Sequence, residues 1–119
     1  MVWDPSRVTP KPWASVRGFF HRLAERNDDF RPMLHLVEHI ASQGYAASMS
    51  AATSGTALLV ARQAEGDWTL DALRVDVGLS ASIRFTLPRE HRVKPTTFEC
   101  EGKTIVQAFE RFLHSAKWI

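Results

Sequence analysis

Apolar residues along the chain fall into three patterns. Between 13 and 26, Trp13, Val16, Phe19, Phe20, Leu23 and Ala24 recur every three or four residues and share one helical face, with Arg22 and Glu25 opposite. Asn27-Asp28-Asp29 breaks that pattern, supplying a capping side chain and favourable negative charge for a second helix. The second helix is predicted over 30–43. Its buried stripe is Phe30, Met33, Leu34, Leu36, Val37, Ile40 and Ala41, with Pro32 tolerated in the first turn and Gly44 as the left-handed stop.

From Tyr45 the period drops to two. Tyr45, Ala47, Met49 and Ala51 alternate with small residues, which predicts a first strand; Thr53-Ser54-Gly55 then turns the chain. A second strand over 56–63 is apolar on both faces around Leu58-Leu59-Val60, as a central strand is. Leu73, Val75 and Val77 mark a third strand, and Ile83, Phe85 and Leu87 a fourth. A fifth over 96–100 points Phe98 and Cys100 inward and Thr97 and Glu99 outward. The third pattern returns to helical spacing over 103–117, with Ile105, Val106, Ala108, Phe109, Phe112, Leu113 and Ala116 on one face.

The fold class expected is therefore α+β: a single antiparallel meander of about five strands, with an N-terminal helix hairpin and a C-terminal helix packed on one face. The opposite face, lined by Ser, Thr, Arg and Asp, is expected to be free. Pro5, Pro10 and Pro12 make residues 1–12 an extended arm, leaving 13–119 as one domain.

Composition narrows the class of protein without naming a function. Fifteen basic against thirteen acidic groups leave a net charge of +2, too small for a strong electrostatic attraction to nucleic acid. Arginine supplies most of the cations, which also fits a GC-rich bacterial genome. One cysteine excludes an internal disulfide, no apolar run reaches membrane-spanning length, and the first residues lack a signal-peptide pattern, so a cytoplasmic protein is expected.

Candidate chemistry is sparse. His35-Leu36-Val37-Glu38-His39 matches the H-x-x-E-H string of inverted-motif zinc peptidases and is similar to them in that pentapeptide alone. The metal-type trio His35, Glu38 and His39 falls on the polar arc of its helix, which favours a solvated face over a zinc site, and no metal or cofactor is expected. Glu110 is the only late helical carboxylate. Cys100 with His91 would make a nucleophile–base pair, but an inward strand position predicts an inert thiol. Arg62, Arg74, Arg84, Arg89, Arg92 and Lys94 are the cations that a nucleic-acid-binding surface would use, unless Asp71, Asp76 and Glu99 pair with them across strands. Trp3, Trp13, Trp118 and Ile119 are candidate interface anchors, because Trp118 lies near the polar arc of a continued last helix. The leading expectation is a non-enzymatic bacterial accessory protein acting by protein–protein interaction or as a homodimer. Its alternatives are a nucleic-acid-binding regulator and a small-molecule binder or enzyme with a pocket between sheet and helices.

Overall fold

The computed structural model describes residues 9–61, 72–87, 97–115 and 118. Three helices, α1 (Trp13–Arg26), α2 (Arg31–Ser42) and α3 (Ile105–Ser115), accompany five strands. The strands are β1 (Ser50–Ser54), β2 (Ala57–Ala61), β3 (Ala72–Val77), β4 (Ile83–Thr86) and β5 (Thr97–Cys100). They form one sheet in the order β1-β2-β3-β4-β5, every neighbouring pair antiparallel, so the α+β meander expected from the periodicity is the fold.

Alternation within the strands decides which face meets the helices. Ala51, Leu58, Val60, Leu73, Val75, Ile83 and Phe85 join Val16, Phe20, Met33, Leu36, Ile40, Phe109 and Leu113 in a single buried core. Burial of this kind contributes roughly 25 cal/mol per Å² of apolar surface, so the helix–sheet seam is where most of the stability resides. Phe85 and Phe98 oppose each other across β4 and β5, with rings stacked at 4.8 Å. The β1–β2 connection is a two-residue hairpin whose first central residue, Gly55, takes a left-handed φ of 60°.

Several local expectations are corrected. The α2 region opens with a 3-10 turn at Asp28–Phe30, capped by Asn27, whose side chain accepts from the Asp29 N–H at 3.0 Å; α2 itself starts at Arg31. Ala41 is exposed rather than part of the stripe. Gly44 does take the left-handed conformation, at φ 83°. Tyr45–Ala47 then forms a 3-10 turn, and β1 begins only at Ser50. Tyr45 and Met49 still face the core, but side-chain contacts hold them there rather than strand pairing.

The face away from the helices differs more. It was expected to be a free polar surface, yet Ala52, Leu59, Ala61 and Ala72 form a second buried cluster on it. The polar residues Arg74, Asp76, Arg84, Thr86, Thr97 and Glu99 occupy only the β3–β5 part. No helix among the described residues is long and apolar enough to cross a membrane.

Candidate functional site

The pentapeptide of α2 is divided among separate surroundings. His35 is exposed. Glu38 accepts from Arg17 of α1 at 3.1 Å. His39 turns toward α3, its Nε2 lying 3.4 Å from Glu110, whose other carboxylate oxygen accepts from the Tyr45 hydroxyl at 2.9 Å. The His39–Glu110–Tyr45 cluster thus joins α2, the following turn and α3. Burial and the neighbouring Glu110 carboxylate both raise the Tyr45 pKa above its ordinary value. Glu110 was legible as an isolated helical carboxylate; its partners were not, because they depend on how α2 packs against α3. Among the described residues no three His, Cys, Asp or Glu side chains are grouped as metal ligands would be.

Two of the named cations are already neutralised. Arg74 Nε bonds Asp76 two residues along β3 at 3.1 Å, and Arg84 lies 3.7 Å from Glu99 on the adjacent strand. Arg74 Nη1 is buried and has no hydrogen-bond partner among the described residues. Arg62, Arg89, Arg92, Lys94 and Asp71, together with His91, lie outside the described residues.

Tryptophan placement is equally specific. Trp13 donates its indole N–H to the Met49 carbonyl at 3.0 Å, fastening the start of α1 to the entry of β1. Trp118 itself is not helical and does not project into solvent: the described part of α3 runs to Ser115, and the Trp118 backbone N–H bonds the Leu113 carbonyl at 2.9 Å. Its indole lies edge-on to Phe112, with ring centres 5.0 Å apart. Both indoles are half-buried against their own core and are not brought together. Trp3 and Ile119 lie outside the described residues.

A concavity lies elsewhere, between β5 and α3. It is a cleft of about 570 Å³, within the size range of small-ligand sites. Leu87, Phe98, Cys100, Ala108 and Phe112 give it an apolar floor. Glu99, Thr104, Gln107, Arg111 and Ser115 form its rim. The helix side arises from spacing: 104, 107, 108, 111, 112 and 115 fall on one flank of α3 and of the 3-10 turn before it. The strand side arises from alternation at a sheet edge, where Phe98 and Cys100 are half-covered and no described strand lies beyond them. A shallower hollow of about 410 Å³ shares Glu99 and Cys100 on the side of the β3–β4 turn.

Comparison with protein-family models, curated proteins and solved structures found no match.

Cys100 was expected to be inert through burial; it is half-buried and lines this cleft. Burial pushes its thiol pKa up, and a hydrogen bond from Thr104 pulls weakly the other way. The Thr104 hydroxyl also donates to the Glu101 carbonyl at 3.1 Å. Having one proton, it serves one acceptor at a time, and a thiolate would draw that proton to sulfur. At neutral pH the group in the cleft is a neutral thiol, which is a poor nucleophile and a good apolar lining.

Proposed function

We propose that the chain is a bacterial, cytoplasmic accessory protein that acts by docking onto another protein, with the β5–α3 cleft as the docking site. The observation that carries this reading is the position of an open apolar cleft directly beside the edge strand of the sheet. Binding rather than catalysis is supported by what the reactive side chains do. His39, Glu110 and Tyr45 satisfy one another across the helix layer, and Cys100 is held as a thiol. The intramolecular packing of Trp13 and Trp118 shifts the weight away from a homodimer built on terminal indoles. The pairing of Arg74 and Arg84 shifts it away from nucleic acid. A small-molecule ligand is the second reading, favoured by the cleft volume.

Amide NMR of the labelled full chain, titrated with amphipathic fragments, short peptides, divalent metals, nucleotides and an oligonucleotide, tests the proposal. Shifts grouped on 97–100 and 104–115 support it, peptides being favoured over fragments. Shifts grouped on Arg74 and Arg84 with the oligonucleotide, or no response to any peptide, contradict it.

A further inference from the structure

The two edges of the sheet are treated differently by the chain. At β1 the arm closes the edge: the Lys11 N–H bonds the Ala51 carbonyl at 2.8 Å and Lys11 Nζ reaches the Thr53 hydroxyl at 2.9 Å. At β5 no described segment pairs with the outer edge. An edge strand turns alternate N–H and C=O groups outward, ready to pair with another extended chain. Natural edges are commonly blunted with lysine, proline or a bulge. Strand β5, Thr-Phe-Glu-Cys, is short and holds neither lysine nor proline, and its one charge, Glu99, is engaged with Arg84 and Ser82.

We infer that this edge and its cleft bind an extended peptide bearing a carboxylate, which adds as a sixth strand beside β5 and sets its acid against Arg111. The inference rests on the β5–α3 docking reading and names its occupant. Length agrees. The wall from Thr104 to Ser115 spans roughly 17 Å at about 1.5 Å per helical residue, the reach of about five extended residues. Side-chain period agrees too, because a strand laid there sends every second side chain into the apolar floor formed by Phe98, Ala108 and Phe112. Charge selects the partner. Among the described residues Arg111 is the one cation lining the cleft and has no ion-pair partner, and it is exposed.

A second copy of the chain fits less well. Its own β5, added in register with the sheet, would point Phe98 and Cys100 into the cleft and Glu99 to the opposite face, leaving Arg111 without a carboxylate. The occupant is therefore a peptide with an acidic side chain or a free C-terminus, flanked by apolar residues at alternate positions.

The test is selection from a displayed random-peptide library on the immobilised full chain, followed by fluorescence polarisation of the most enriched peptide. The selected sequences are expected to hold apolar residues and a shared acid at alternate positions, the side that faces the cleft. Methylating alternate backbone nitrogens should abolish binding, and Arg111→Gln should weaken it about tenfold, as loss of a charge-assisted hydrogen bond does. Gln107→Trp, an exposed substitution that fills the cleft, should also abolish it. No enrichment over uncoated support, or a helical or acid-free consensus, overturns the inference. Binding that survives both N-methylation and Arg111→Gln but is lost in Gln107→Trp also overturns it, while the docking reading stands. Survival in Gln107→Trp defeats both. A dimer seen by sedimentation that Gln107→Trp dissociates makes the occupant a second copy, and the inference fails.

Discussion

A Cβ built on Gly102 would stand 2.5 Å from the Pro32 ring carbon, nearer than atoms can pack, and that ring is fixed in the first turn of α2. Gly102 is thus the contact that lets the turn before α3 close against α2. Gly102→Ala is expected to cost roughly 1–3 kcal/mol, the usual penalty of overpacking, measured as a lowered urea midpoint with unchanged slope. Tyr45, the only tyrosine, reports on the neighbouring seam. Its raised pKa means that the folded state holds the phenol proton more tightly than the unfolded state. The stabilisation is therefore complete below pH 10, the ordinary value, and is lost as pH rises through the higher folded value. Tyrosinate absorbance should titrate above pH 10 in the native protein and move down in Glu110→Gln. Tyr45→Phe should cost about 1 kcal/mol at neutral pH and remove this alkaline component of unfolding.

At the scale of elements, the placement of Trp118 distinguishes packing from assembly. Trp118 covers Phe112 at the end of α3, so Trp118→Ala should lower stability by roughly 2 kcal/mol, a Tm fall on the order of 8 °C. The sedimentation coefficient should stay unchanged; loss of a dimer instead would transfer the indole to an interface. This element also shows where sequence reasoning reached. The α3 stripe and the β5 alternation were legible because period alone decides which side of an element is apolar. The placement of Trp118 was not, since its backbone N–H bond to the Leu113 carbonyl and its ring contact with Phe112 do not follow from helical period. Strand β1 was misplaced for a related reason: Tyr45, Ala47, Met49 and Ala51 alternate, but the left-handed Gly44 sends the first of them into a turn where Glu110 holds the hydroxyl. The buried cluster of Ala52, Leu59, Ala61 and Ala72 was signalled in part by the two-sided apolar character of β2, whereas the alanines read equally well as surface.

At the scale of the molecule, one core unites three helices with one sheet face, and the cleft lies where that two-layer arrangement stops at β5. Its existence was not legible, because alternation says which side chains turn toward α3 and says nothing of the gap between them. Short residues, Cys100 on β5 and Ala108 on α3, line that gap at an edge with which no described segment pairs. The central claim is that this gap is open to large partners, and the single cysteine reports on it directly. The decisive measurement is the rate of maleimide labelling at Cys100 in the native protein and in Gln107→Trp, followed from pH 7 upward. The account predicts labelling in the folded state that accelerates with pH to above the ordinary thiol value and slows several-fold when the tryptophan fills the cleft. Equal rates in the two proteins, or a thiol that reacts only on unfolding, would contradict it.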